Sequence, residues 1–306
     1  MDNILKTSVR SGPDFLVIGA QKSATTWLYS CMRKHEGLYL PPKKEIHYFD
    51  RSKSYSSSSV LSEASPLRRY NLLTAAQALK TCFKKSSNWD DFRWYLHYFF
   101  SYCNDKWYRN LFRRRQPHQV AGEVTPGYSM LSKADVAKVK QINPHLKIIF
   151  IMRNPVERDW SAYLMRLRKH QLNYDDMDDD YVYRFFEFDG CRMKGDYLST
   201  LLHWQAHFPK EHIFIGYYED VKQNPINFLK SVFDFLGIRK TDSWDVFPLS
   251  KKMNAGDKRQ IPERFKRFLS EKYANDLLKI WELTQNDHVK NWHDEALKWS
   301  ETVDCN

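Results

Sequence analysis

The chain has 306 residues, 42% of them apolar and 28% charged, which is ample for a sizeable buried core and excludes wholesale disorder. Lysine and arginine outnumber aspartate and glutamate by 48 to 37, and the resulting charge of +11 favours anionic partners: nucleic acid, a membrane surface or a polyanionic cofactor. No apolar run approaches the roughly 20 residues of a membrane span, the N-terminus (MDNILKTSVR) lacks a signal peptide's apolar core, and five scattered cysteines without a CxxC pair argue against a disulfide framework and a zinc site.

Residues 1–13 read as an N-terminal extension and 14–300 as one domain, because no change of composition marks a boundary. Phe15-Leu16-Val17-Ile18 is a continuous apolar run followed by Gly19, a polar stretch, and a helical pattern that begins at Trp27-Leu28. Ser52–Ser65 is Ser-rich and expected to be mobile, whereas the aromatics of Phe92–Cys103 recur at helical spacing and are expected in the core. Gln119–Glu123 reads as a strand, then a Thr-Pro-Gly turn, then a helical pattern from about Ser132. Lys147–Met152 is a buried strand, closed by Arg153-Asn154-Pro155 and followed by a helix through Arg168. The acidic run Asp175–Asp180 is expected to be an exposed loop, since like charges repel. His212–Tyr217 is a fourth strand, and Asn224–Leu236 a helix ended by Gly237. Strands alternating with helices require crossover connections, and runs such as KIIFIM, apolar without alternation, suit strands buried on both faces. The expected fold is therefore α/β, a single domain whose central, mostly parallel sheet is flanked by helices.

The first chemical motif is the strand–loop–helix Phe15–Leu28. At its turn, Gln21, Lys22, Ser23, Ala24, Thr25, Thr26 and Trp27 place a mobile cation and several hydroxyls at a helix N-terminus, whose amides and dipole favour an anion. A magnesium-dependent P-loop kinase is the obvious competitor. Its pattern places Gly directly before Lys-[Ser/Thr], where this chain has Gln21, and the nearby Gly19 is alone. The strand Ile148–Met152 moreover ends in Arg153, not in a metal-binding aspartate. A basic, non-enzymatic nucleic-acid-binding protein is the other alternative, but the basic doublets are dispersed and no zinc-finger, zipper or RNA-recognition motif accompanies them. In the second motif, Arg153 stands at a strand end and Ser161 follows eight residues later, a little over two helical turns, so both can converge on one phosphate.

With these motifs in place, the sequence resembles the sulfotransferases that use 3′-phosphoadenosine 5′-phosphosulfate (PAPS), and within them the carbohydrate, heparan-sulfate-type branch. GAQKSATTWL is similar to their 5′-phosphosulfate loop and IIFIMRNPVERDWSAY to their 3′-phosphate motif. PPKKEIHYFD resembles the Lys-Glu-x-x-Phe-Phe-type segment, and GYYEDVKQNPINFLKSVFDFLGI the closing helix block. The resemblance implies a P-loop-like, nucleotide-kinase-like sulfotransferase fold and PAPS as cosubstrate, with no metal. It assigns Lys22 to the 5′-phosphate and bridging oxygen, Ser23 to Thr26 to the cradle, and Arg153 and Ser161 to the 3′-phosphate. Lys258 and Arg259, in NAGDKR, fall in the loop that closes over that phosphate. Glu45 falls where that branch keeps its catalytic base, with His47 as second candidate; an extended 45–48 segment would put both on one face. Glu123 at a strand end is a candidate for orienting substrate. Tyr48 and Tyr128 are candidates for an acceptor pocket, with core packing equally open. Two departures stand out: Ser23-Ala24 replaces the usual Gly-Gly or Cys-Gly, and Val124 stands where the family block often has lysine after the glutamate. The expected partner is a small-molecule or carbohydrate acceptor, with no nucleic acid and no membrane, in the cytoplasm; the sequence leaves the oligomeric state open.

Overall fold

Five strands, β1 (Phe15–Gly19), β2 (Leu38–Tyr39), β3 (Val120–Val124), β4 (Lys147–Met152) and β5 (Ile213–Tyr217), form a parallel sheet in the order β2-β3-β1-β4-β5. The computed structural model describes residues 11–55, 63, 72–86, 88–238, 243–249 and 259–301, with 72–75 described by backbone only. The strand residues sort by parity onto the two faces of the sheet. Leu16 and Ile18, with Ile148, Phe150 and Met152, pack into one apolar cluster; Phe15 and Val17, with Ile149 and Ile151, pack into the other. That is why these runs carry no polar alternation: both faces are covered.

Thirteen helices lie among the described residues: α1 (Thr25–Met32), α2 (Leu72–Lys85), α3 (Trp89–Phe100), α4 (Asp105–Asn110), α5 (Lys133–Ile142), α6 (Pro155–His170), α7 (Asp179–Glu187), α8 (Asp189–Gly195), α9 (Tyr197–Gln205), α10 (Tyr218–Gln223), α11 (Pro225–Leu236), α12 (Glu263–Thr284) and α13 (Asp287–Ser300). The expected helices recur with small shifts at their ends. Asn154 caps α6 by accepting the Val156 amide at 3.0 Å, and Pro155 takes the first helical position, where its missing N–H costs nothing. The aromatic run is core, as expected: Trp94, Tyr95 and Tyr98 of α3 pack with Trp107 and Tyr108 of α4 in a third apolar cluster. The C-terminal hairpin α12–α13 was not anticipated from the sequence, nor was the two-residue edge strand β2. Ser52–Ser65 lies mostly outside the described residues. No helix among the described residues is long and apolar enough to cross a membrane.

Two strand ends fix the position of the site. β1 and β4 are neighbours and parallel, so the loop after Gly19 and the turn at Arg153 leave from one edge of the sheet. The ladder shifts register between Val17 and Gly19, and the Ala20 amide then donates to the Ile151 carbonyl at 2.7 Å, carrying the loop along the end of β4. Between β1 and β3 the fit is tight. A Cβ added at Gly122 would meet the buried Phe15 ring at 2.4 Å, which the ring, enclosed on all sides, cannot avoid. Gly122→Ala should therefore cost about 1–3 kcal/mol of stability, read as a lower denaturant midpoint at unchanged slope.

Candidate active site

The loop between β1 and α1 carries left-handed backbone at Lys22 (φ 73°) and Ala24 (φ 60°), a conformation that glycine adopts freely and alanine only at some cost. This turn starts α1 at Thr25 without any side-chain cap, so the first-turn amides remain available to an outside acceptor. They face a cavity of about 1240 Å³ lined by Gln21, Lys22, Ala24, Thr25, Thr26 and Trp27. Arg153 and Ser161 line the same cavity, and so does Arg259. The two strand-end motifs thus open onto one space, which is what a ligand gripped at both ends requires. A smaller adjoining cavity of about 260 Å³ is lined by Lys22, Ser161, Arg168 and Arg259 together with Asn173 and Tyr174. Ser161 and Arg168 are seven residues apart, two turns along one face of α6. That spacing was the available signal for Arg168, which the motif reading passed over.

Ser23 departs from expectation. Its side chain is fully buried and its amide donates to the Ala20 carbonyl at 3.3 Å, so it closes the loop from within and is not among the residues lining the cavity. Lys258 lies outside the described residues. Arg259 is held from three sides: its Nη1 donates to Asp175 Oδ1 at 3.0 Å, its guanidinium lies 4.1 Å from the Tyr174 ring centroid, and its carbonyl accepts from Trp160 Nε1 at 2.8 Å. The acidic run is therefore exposed but not free. Asp175 pairs with Arg259 and Asp179 with Arg264, arginines that relieve the like-charge repulsion and bring the run to the rim of the site.

The segment after Pro42 is not extended. Glu45 (φ 65°) and His47 (φ 57°) both take left-handed backbone, because successive amides are drawn to different acceptors at the end of β3. The amide of Glu45 donates to the Val124 carbonyl at 3.0 Å, that of Ile46 to Thr125 Oγ1 at 3.0 Å, and that of Tyr48 to the Tyr128 hydroxyl at 2.9 Å. Their side chains meet nonetheless: His47 Nε2 lies 3.5 Å from Glu45 Oε2, and His47 Nδ1 lies 2.7 Å from Oδ2 of the fully buried Asp50. Gly127 makes room for this contact, since a Cβ there would lie 2.5 Å from Asp50 Oδ2. Glu45 lines the large cavity, facing the cradle; its Oε1 accepts from Lys44 Nζ at 2.7 Å.

Glu123, Tyr128 and Tyr48, expected to meet substrate, lie beneath the site instead. All three are buried and none is among the lining residues. Glu123 accepts from the hydroxyls of Tyr108 (2.5 Å), Thr125 (2.6 Å) and Tyr128 (3.1 Å), and Tyr48 donates to Asp105 at 2.5 Å while stacking on Tyr108 with centroids 4.5 Å apart. The reason is local. At the end of β3 the Glu123 side chain points into the cluster built by α4, where only hydroxyls can satisfy it.

The electrostatics follow from burial and crowding. Burial first, then the charges of Arg168 and Arg153, lower Lys22 to about 8. Burial alone would raise Glu45, but the His47 hydrogen bond and the Lys44 charge outweigh it and hold the carboxyl near 2. Burial would lower His47, yet its hydrogen bonds to Asp50 and Glu45 lift it to about 9. An imidazolium donating to two carboxylates has no lone pair for a further proton. Burial pushes Glu123 upward against the three hydroxyls that oppose the shift. Among the described residues no group of three or more His, Cys, Asp or Glu side chains is placed to hold a metal ion.

Comparison with known proteins agrees with this geometry. Residues 12–297 match the family model described as "Sulfotransferase domain". Human heparan sulfate glucosamine 3-O-sulfotransferase 6 is 25% identical over 226 residues, covering 62% of this chain and 63% of that protein. The Drosophila melanogaster bifunctional heparan sulfate N-deacetylase/N-sulfotransferase is 23% identical over 252 residues, 74% of this chain and 20% of its own length. The chain thus spans less than two thirds of these curated relatives. Among solved structures, a sulfotransferase from Alicyclobacillus acidocaldarius has a TM-score of 0.61 at 19% identity, covering 92% of this chain and 98% of that one. Mouse sulfotransferase SULT7A1 complexed with PAP has a TM-score of 0.50 at 15% identity, covering 94% and 89%. These likenesses are to the fold.

The Glu45–His47–Asp50 arrangement predicts an anomalous histidine. By NMR the His47 ring should stay imidazolium through neutrality and titrate near pH 9, and Asp50→Asn should bring the midpoint down. Because the folded value lies above the ordinary 6.5, the stabilisation is complete below that pH and fades as pH rises through about 9. The stability gap between the native chain and His47→Gln should narrow over the same window.

Proposed function

The chain belongs to the sulfotransferase family, and from that premise we propose that it transfers a sulfuryl group from PAPS to a hydroxyl or amine of a carbohydrate or small-molecule acceptor, releasing adenosine 3′,5′-bisphosphate (PAP). The observation that carries this reading is the shared cavity: an uncapped helix start with Lys22, the Arg153–Ser161 pair and the carboxylate of Glu45 all line it. The heparan sulfate enzymes among the relatives, and the neighbour solved with PAP, support the same acceptor and nucleotide classes.

The residues fit the nucleotide's anions. Amides of the first turn of α1, with the Thr25 and Thr26 hydroxyls, suit the 5′-phosphosulfate; Arg153, Ser161 and Arg259 suit the 3′-phosphate, with Arg168 beside them. Arg153 also ties the two ends together, since its Nη1 donates to the Lys22 carbonyl at 3.3 Å. Its guanidinium lies 4.6 Å from the centroid of Tyr218, which with Trp27 gives the cavity an aromatic wall suited to a flat base. Lys22 supplies positive charge where the departing phosphate gains negative charge, the kind of fixed electrostatic help that needs no reorganisation during reaction. Glu45 takes the acceptor's proton. Its carboxylate is ionised at neutral pH and turned into the cavity, and His47, anchored by buried Asp50, holds it there.

Calorimetry with PAP tests the reading. The intact chain should bind PAP without magnesium, and Lys22→Ala or Arg153→Ala should weaken it about 10- to 100-fold, the cost of a charge-assisted contact to phosphate. Absence of PAP binding by the intact chain would end the proposal; ATP binding strengthened by magnesium would favour a kinase instead. With labelled PAPS and a panel of carbohydrate and small-molecule acceptors, Glu45→Gln should keep PAP affinity within about 2-fold and lose turnover by about 100-fold or more.

A further inference from the structure

Three lysines that line the cavity, Lys44, Lys222 and Lys266, belong to neither phosphate motif, and of these Lys44 is the one bonded to Glu45. Lys44 precedes Glu45 on the segment pinned to β3, and its side chain lines the cavity at 18% exposure. Its Nζ donates to Glu45 Oε1 at 2.7 Å and to Thr26 Oγ1 at 3.1 Å. Thr26 sits in the first turn of α1, so one ammonium group spans the gap between the anion cradle and the carboxylate opposite it. An ammonium has three N–H donors, and two are engaged by these contacts. Lys43 faces elsewhere: its Nζ donates to the Glu45 carbonyl at 2.6 Å, lies 5.1 Å from the Tyr98 ring centroid, and is not part of the cavity lining. The neighbouring strand offers no charge at this point, because Val124 is fully buried and presents only its carbonyl, to the Glu45 amide. A merely decorative surface pair would not bridge two different functional groups from within a cavity.

We propose that Lys44 is a catalytic residue whose remaining N–H binds the sulfonate being transferred. The inference rests on the sulfuryl-transfer reading above. In the step it assists, the acceptor's O–H or N–H bond breaks and the proton passes to Glu45. The acceptor atom's electron pair forms the new bond to sulfur, and the bond from sulfur to the 5′-phosphate oxygen breaks with its electrons leaving on the phosphate. Lys44 keeps its protons throughout and offsets charge on the sulfonyl oxygens. The sulfonate's negative charge, brought close to the Lys44–Glu45 pair, raises the proton affinity of Glu45, so the base strengthens when the donor is seated.

The test compares two ligands that differ by the sulfonate. Calorimetry on the full chain should show Lys44→Met binding PAP within about 2-fold of the native protein but PAPS about 10-fold more weakly, with Lys44→Arg recovering part of the loss. Slow transfer from PAPS to water, which needs no acceptor, should fall about 100-fold in Lys44→Met, and the acid limb of its pH profile should move to higher pH. Equal weakening of PAP and PAPS would place Lys44 on the nucleotide phosphates and overturn the proposal, as would unchanged PAPS affinity and rate. A thermal scan of each variant separates these outcomes from misfolding, and the Arg variant keeps the question answerable should Lys44→Met not fold. Failure of the native chain to bind either ligand would instead sink the function reading itself.

Discussion

The parallel pairing of β1 with β4 is the constraint on which the site depends. Two adjacent parallel strands must end on the same edge of the sheet, so a loop after one and a turn after the other share a mouth. The pairing is secured from both faces: odd and even residues of each strand pack into separate apolar clusters, and neither strand can slip by one residue without exchanging its two faces. The register shift at Gly19 and the bond from the Ala20 amide to the Ile151 carbonyl then bring the cation of the first loop beside the guanidinium at the second strand's end.

The opposite wall is built around a buried carboxyl group. Glu123 has no apolar role in the interior, yet its carboxyl gathers three hydroxyls, and two of these, Thr125 and Tyr128, in turn accept the amides of Ile46 and Tyr48. Every polar group in that chain finds a partner, which is the condition under which a buried polar network specifies a single arrangement. Its product is a curled segment that aims Glu45 at the cradle. An extended run would instead send the adjacent Lys44 and Glu45, which both line the cavity, to alternate faces.

Charge is distributed around the cavity with a clear division of labour. Four carboxylates at or beside the cavity are paired: Glu45 with Lys44, Asp175 with Arg259, Glu157 with Arg153 and Glu295 with Lys266. Lys22 is crowded by Arg153 and Arg168 and pays for that in a lowered proton affinity, which an anion would restore. The acidic run thereby gains a structural place at the rim, where Tyr174 and Asp175 hold Arg259 at a cavity that Ser161 also lines.

The strands of β1, β3, β4 and β5, and the helices that follow them, were legible from the chain alone, because a run such as KIIFIM admits few readings other than a strand covered on both sides. Lys22, Arg153 and Ser161 were named from their strand-end settings and spacing, Glu45 only from the family resemblance, and all four line one cavity. Tertiary structure decided the rest. Ser23 looked like a ligand and proved to close the loop from inside; Glu123, Tyr128 and Tyr48 looked like a pocket and proved to be its support. Arg168 carried only its seven-residue spacing from Ser161, Lys44 stood in a quoted motif without a role of its own, and the wall contributed by α12 and α13 had no local signature. The physical reason is range. Periodicity and turn chemistry are written within a few residues, whereas the facing of a side chain, toward a cavity or away from it, depends on elements brought together from distant parts of the sequence.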